Sequence, residues 1–152
     1  MLPESFMATL DLEDAYLLVP LEKQHRKYIR FQWHKATYEY TALPFGLSTA
    51  PYIFTKIMRP VVSYLRQKGF QSVIYLDDFL FIGLSLEECQ ANVNASLNLL
   101  LSLGFRINFS KSQLEPSNTC KYLSFIFNSV DQSVSIPPRR REKLLSLISD
   151  MA

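Results

Sequence analysis

Apolar and polar positions along this chain change their spacing several times, and each spacing predicts an element. The run Phe6-Met7-Ala8-Thr9-Leu10 holds one polar residue and reads as a strand, about Phe6 to Leu12, followed by a turn around Glu13 to Tyr16 and a polar loop through Lys23 and Gln24. Ile29 to Trp33 and Tyr38 to Leu43 read as a strand pair with His34, Lys35 and Ala36 at its turn, although no Gly marks the hairpin. The period then becomes helical: Phe54, Ile57, Met58, Val61, Val62 and Leu65 recur at three- and four-residue steps. Ser48 or Thr49 caps this helix, Pro51 suits its first turn and Gly69 ends it, while Pro60 removes a backbone donor inside it and predicts a kink near Arg59. The runs Val73 to Leu76 and Phe79 to Ile82 do not alternate with polar residues, which predicts strands buried on both faces.

A second long helix opens at Ser85-Leu86-Glu87-Glu88, a capping box in which the Ser and the Glu satisfy each other's backbone donors. Cys89, Val93, Leu97, Leu100 and Leu101 continue it on one face, and Gly104 closes it. Strands are predicted at Lys121 to Phe127 and Ser133 to Ile136, after which Pro137-Pro138 breaks the pattern before a helix over Arg139 to Ser149. The order of elements predicts an α+β fold, an antiparallel sheet with two long helices on one face and a small C-terminal hairpin.

A length of 152 residues suits one domain with a real core, and 48% hydrophobic and 13% aromatic residues exclude a disordered chain. A net charge of +2 does not by itself declare a nucleic-acid binder, although basic residues cluster at His25-Arg26-Lys27 and at Arg139-Arg140-Arg141 with Lys143. Cys89 and Cys120 lack metal-ligand spacing and read as reduced, structural thiols. No apolar run has the length of a membrane span and nothing at the start resembles a secretory signal, so the expectation is an intracellular protein, in cytoplasm or nucleus, with no membrane partner.

The chemistry concentrates at Tyr75-Leu76-Asp77-Asp78, two adjacent acids between apolar strands. Asp is a common turn residue, so the pair is either a tight turn or the ligand set of a cation. Asp11 ends the first strand, as a strand-end residue, a helix cap or a third ligand. Three converging carboxylates repel one another, and Mg²⁺ prefers hard oxygen donors completed by substrate phosphates and water, the outfit of a phosphoryl-transfer site.

Leu10-Asp11-Leu12-Glu13-Asp14-Ala15-Tyr16, then Leu43-Pro44-Phe45-Gly46-Leu47-Ser48-Thr49-Ala50-Pro51, then Tyr75-Leu76-Asp77-Asp78 resemble, in this order, the palm of reverse transcriptases from retroviruses and retrotransposons. The resemblance continues through Gly104-Phe105-Arg106-Ile107-Asn108 with Lys111 and through Tyr122-Leu123-Ser124-Phe125. Phe54 to Val62 with Tyr75 to Leu80 looks most like the DIRS-like retrotransposons, which carry a tyrosine recombinase. The resemblance implies a polymerase palm over residues 1–137, with minor fingers elements, and the start of a thumb or connecting helix over 138–152.

It also implies roles. Asp11, Asp77 and Asp78 would hold two Mg²⁺ ions, with Mn²⁺ able to substitute, and Asp11 and Asp77 would be the essential ligands. Lys111 would protonate the departing pyrophosphate. The backbone of Leu12, Glu13, Asp14, Ala15 and Tyr16 would meet the deoxynucleoside triphosphate, and the Tyr16 ring would be the steric gate against a ribose 2′-hydroxyl. Phe45 and Gly46 would lie at the nascent base pair, while Tyr75, Leu76, Tyr122, Leu123, Ser124 and Phe125 would contact the primer. The implied partners are an RNA or DNA template with a DNA primer and the rest of a parent polyprotein, namely fingers, thumb and ribonuclease H. Ser124 stands where relatives usually have Gly, and only ten residues precede Asp11, so a palm fragment, inactive in isolation, is expected. The competing expectation is a remnant that at most binds nucleic acid. A telomerase-like or intron-encoded palm is disfavoured by Leu43-Pro44-Phe45-Gly46.

Overall fold

A computed structural model describes residues 3–149. Its elements run β1 (Phe6–Glu13), a 3₁₀ turn (Ala15–Leu18), α1 (Lys23–Arg26), β2 (Arg30–Trp33), β3 (Ala36–Glu39), α2 (Ala50–Gln67), β4 (Gln71–Tyr75) and β5 (Asp78–Gly83). There follow α3 (Leu86–Ser102), β6 (Arg106–Ile107), β7 (Gln113–Ser117), β8 (Thr119–Tyr122), β9 (Phe125–Asn128), β10 (Ser133–Ser135) and α4 (Pro138–Ser149). The positions 150–152 of the expected thumb segment lie outside the described residues. The expected α+β architecture is present.

β1 is the centre of the main sheet, antiparallel to β5 on one side and to β6 and β7 on the other, with β4 as the edge beyond β5. Because strand side chains alternate, the two faces of β1 and β5 enter different cores. Ala8, Leu10, Leu12, Phe79 and Phe81 pack with Phe54, Met58, Val61 and Leu65 of α2 and Cys89, Val93 and Leu100 of α3. On the opposite face Met7 and Leu80 meet Cys120 and Tyr122 of β8. Helices on one side and the β8–β9 hairpin on the other leave β1 and β5 without a solvent face, so their sequences lack alternation. Phe54, Phe79 and Phe81 are fully buried, each contributing about 2–3 kcal/mol.

β4 departs from the prediction of burial on both faces. The β8–β9 hairpin core does not extend to its outer positions, and Val73 and Tyr75 are about half exposed. The predicted strand over Lys121 to Phe127 is two strands, β8 and β9, folded about Leu123 and Ser124, whose φ values are 47° and 68°. No Gly announced that turn. An L residue at positive φ costs about 1–2 kcal/mol, so Ser124→Gly is expected to stabilise the chain by about 1 kcal/mol, read as a raised midpoint in urea.

The β2–β3 hairpin likewise turns on two residues, His34 and Lys35 (φ 45° and 62°), with Ala36 already in β3. β3 stops at Glu39 rather than Leu43, because Leu43 donates its N–H to the Val19 carbonyl (2.9 Å) instead of continuing the ladder. α2 continues through Pro60: buried Met58 and Val61 flank it, and anchoring both sides offsets the roughly 3 kcal/mol that an internal proline costs. Thr49 holds the cap position without a side-chain hydrogen bond. β6 and β7, unpredicted, form only by pairing with β1.

At the start of α3 the Ser85 hydroxyl accepts the Glu88 N–H (3.2 Å), as expected, whereas Glu88 Oε2 accepts from Leu84 (2.7 Å), one residue before the cap. Leu101, expected on the buried face, is exposed. Its place is taken by polar residues: Asn92 and Ser96 are buried, and Asn92 Nδ2 donates to the Gln71 carbonyl (2.6 Å) and the Ile82 carbonyl (3.4 Å), with Ser96 Oγ donating to Asn92 Oδ1 (3.3 Å). Gln71 and Ile82 are register partners, so Asn92 clamps the open end of the β4–β5 hairpin. Asn92→Leu leaves two carbonyls without this donor and is expected to cost about 2 kcal/mol in urea unfolding. Ser96→Ala, which keeps the clamp, should cost less.

Candidate active site

The β1–β5 register sets the site. Asp11 and Asp78 are direct partners across the two strands, next to Leu10↔Phe79 and Thr9↔Leu80. They therefore share the face opposite α2 and α3, at the end of the strands where the β8–β9 cover stops. Asp77 is the second residue of the two-residue turn that joins β4 to β5, and its carbonyl accepts the Leu12 N–H (3.0 Å), which ties the turn to β1. Leu76, the first turn residue, is held at φ 57°, a left-handed conformation unusual for a branched apolar side chain.

The acids act on one another. Burial, first, and then the charges of Asp77 and Asp11 and a hydrogen bond shared with Asp11 hold the Asp78 carboxyl above its ordinary range, with Lys111 pulling the other way. Lys111 Nζ stands 3.9 Å from Asp11 Oδ1. Tyr16 is raised by burial, then by the charges of Asp77 and Tyr75. Among the described residues no three carboxylate, imidazole or thiol groups are gathered as a ready-made metal cage.

Asp11, Asp78, Lys111, Tyr75, Tyr122, Leu123 and Ser124 line one open cleft of about 840 Å³. Tyr122 donates its hydroxyl to the Asp78 carbonyl (3.3 Å), and burial followed by the Asp78 charge pushes the phenol up to about 12. Leu76 lies elsewhere, in a depression beside Thr55 and Arg59 of α2. Phe125 is exposed on β9 and does not line the cleft.

On the other side of the turn, Leu12, Ala15 and Tyr16 are buried, and the Tyr16 ring packs edge-on against Phe45 (5.0 Å) and Phe54 (5.2 Å). Asp14, at φ 51°, opens the 3₁₀ turn and bonds Arg106 (3.0 Å), so its carboxylate holds the turn to β6; Glu13 is exposed. Gly46 has φ 86°, a left-handed conformation that favours glycine, with open space where a Cβ would stand. Sequence reasoning missed Ser112: its Oγ accepts the Asp11 N–H (3.0 Å) and donates to the Asn108 carbonyl (2.8 Å), fixing the strand end that carries Asp11. A contact across 101 positions left no local signal. Asn92 and Ser96 did leave one, as polar residues at helical spacing from Cys89 on an apolar face.

Residues 3–127 match the family model described as reverse transcriptase (RNA-dependent DNA polymerase). The chain belongs to the reverse transcriptase family. It is 32% identical over 102 residues to the uncharacterized protein K02A2.6 of Caenorhabditis elegans, a match that covers 67% of this chain and 8% of that protein. It is 30% identical over 119 residues to the Gag-Pro-Pol polyprotein of Human T-cell leukemia virus 2, covering 72% of this chain and 8% of the polyprotein. This reverse transcriptase domain thus spans less than a tenth of the curated relatives it matches. In fold it is similar to the foamy viral protease-reverse transcriptase in complex with RNA/DNA hybrid, with TM-score 0.79 and 22% identity over 92% of this chain and 18% of that one. The dRH form of the same enzyme in complex with double-stranded DNA superposes at TM-score 0.81 and 20% identity, over 92% of this chain and 24% of that one. No described helix is long and apolar enough to cross a membrane.

Proposed function

We propose that this chain is the catalytic palm of a retroelement polymerase over residues 1–137, followed by the start of a thumb helix, and that it adds deoxynucleotides to a DNA primer on an RNA or DNA template. The observation that carries this reading is the direct pairing of Asp11 and Asp78 at the mouth of a cleft, with Asp77 on the adjoining turn. Mg²⁺ is held by one or two carboxylates plus substrate phosphates and water rather than by a protein cage, and two acids crowded enough to raise Asp78 fit such a cation. Two Mg²⁺ or Mn²⁺ ions held by Asp11, Asp77 and Asp78 would lower the pKa of the primer 3′-hydroxyl and neutralise charge on the triphosphate.

The remaining roles belong to the chain itself. The backbone of residues 12–16 and Phe45-Gly46 receive the incoming nucleotide on the Tyr16 side of the turn. Tyr75, Tyr122, Leu123 and Ser124 hold the primer on the Asp78 side. Lys111, beside Asp11, is placed to give a proton to the leaving pyrophosphate. Leu76 and Phe125, expected at the primer, lie outside the cleft and take no role in this reading. Fingers, thumb and ribonuclease H of a parent polyprotein, and a DIRS-like origin suggested by Phe54 to Val62, complete the proposal.

The alternative is a remnant that binds nucleic acid without copying it. Single-nucleotide extension of a DNA primer on an RNA template separates the two. A polypeptide carrying this chain with fingers and thumb should extend the primer with Mg²⁺ and cease in EDTA; binding without incorporation would establish the remnant.

A further inference from the structure

We infer that the open edge of β4 is a docking site for an acidic, extended segment of a partner polypeptide, which adds one strand to the sheet. β4 ends the sheet, with β5 on its inner side only. Tyr75 and Asp78 flank a two-residue turn and so exchange backbone hydrogen bonds. Alternation from that pair turns the backbone of Val73 and Gln71 toward β5 and that of Ile74 and Ser72 outward. The Ser72 carbonyl accepts from the Arg66 guanidinium (3.2 Å), in keeping with that direction, while the Ser72 N–H and the Ile74 N–H and C=O face no strand among the described residues. Natural sheets guard such an edge with charges, proline or a bulge. Gln71-Ser72-Val73-Ile74-Tyr75 holds neither charge nor proline, and its register with β5 is unbroken.

The groove beside this edge defines the occupant. Ile74 and Leu76 form one wall and Met58, Val62, Arg59 and Arg66 of α2 the other, around about 460 Å³, and none of these residues lines the cleft at Asp11 and Asp78. Arg59 and Arg66 stand two helical turns apart, and among the described residues neither has a carboxylate within ion-pair distance. A strand seated on β4 sets apolar side chains against Ile74 and Val62 and carboxylates on the two guanidiniums, whose forked donors match them. A nucleic-acid strand answers only part of this surface, because its backbone accepts from arginine but has no N–H for the Ile74 carbonyl. A second copy, pairing β4 with β4, brings the arginines of both copies to one seam, where like charges repel.

The test follows the binding of short labelled peptides, in which Glu alternates with Val or Thr, to the 152-residue chain by fluorescence anisotropy. Binding is expected at about 0.1 mM or tighter and is lost when Lys replaces Glu in the peptide. Arg59→Glu should weaken the Glu peptides about tenfold and admit the Lys peptides, with an unchanged midpoint in urea because the side chain is exposed and has no ion pair. N-methylation of the peptide separates strand addition from charge alone: methyl groups on the amides that face β4 should abolish binding, and those on the intervening amides should not. Equal binding of both methylated forms, or no binding by any peptide at about 1 mM, overturns the assignment. Single-stranded DNA that displaces the peptide with the same dependence on Arg59 overturns it in favour of nucleic acid, and dimerisation of the chain that the peptide blocks overturns it in favour of a second copy. Each of these results leaves the polymerase reading as it stands.

Discussion

Asp77→Asn is expected to abolish nucleotide addition while making the chain slightly more stable. In a polypeptide that carries this chain with fingers and thumb, the loss should reach on the order of 10³-fold, about 4 kcal/mol of barrier, because a neutral amide removes a charged oxygen donor from where charge develops. The stability change runs the other way. Burial, then the charge of Asp77, and then Asp11 raise the Asp78 carboxyl, so the folded chain binds that proton more tightly than the unfolded one. A group shifted in this direction favours the fold at pH below its unfolded value and loses that contribution as pH rises through the folded one. At neutral pH the wild type therefore carries a repulsion that Asp77→Asn partly removes. Thermal unfolding at pH 7 should show a gain of about 0.5–1 kcal/mol that disappears toward pH 3, where Asp78 is protonated in both forms. Extension that survives Asp77→Asn would remove the metal-site reading, and a loss of stability at pH 7 would show that Asp77 holds the turn by contacts other than charge.

The second large effect is expected at Tyr16. Its ring is 8% exposed and stands between Phe45 and Phe54, so it is at once a core residue and the wall of the proposed nucleotide site. Truncation by Tyr16→Ala should lower discrimination against ribonucleotides about 100-fold, measured as the ratio of kcat/KM for a deoxynucleotide and its ribonucleotide, since it clears the space that a 2′-hydroxyl would occupy. The same truncation should cost about 3 kcal/mol of folding stability through the cavity left against Phe54. Tyr16→Phe separates the roles. It keeps the ring, so it should preserve both discrimination and stability, and unchanged discrimination in Tyr16→Ala would reduce Tyr16 to a packing residue.

Local signals account for much of the architecture. The three-and-four spacing of Phe54 to Leu65, the Ser85 cap and the glycines after each long helix placed α2 and α3, because a helix that buries one face writes its period into adjacent residues. Two-residue turns at His34-Lys35 and Leu123-Ser124 were harder to read, since both use left-handed backbone without glycine or asparagine. β6 and β7 carried no signal, as short polar segments become strands only when β1 offers its edge.

For the candidate site the division is similar. The sequence by itself determined the candidate residues, namely the acids and the Tyr16 and Phe45 aromatics, and the motif order that marks the reverse transcriptase family. Tertiary structure alone decided which of them meet. It paired Asp11 with Asp78 on one face and set Asp77 on the turn, tied to β1 through Leu12. It gave Ser112 to the Asp11 backbone, and it brought Lys111 and Tyr122 into one cleft with Asp11 and Asp78 while leaving Leu76 and Phe125 outside. These placements follow from strand register and from the crossing of chain segments about a hundred residues apart. Both are fixed by packing both faces of β1 at once, and no local spacing encodes them.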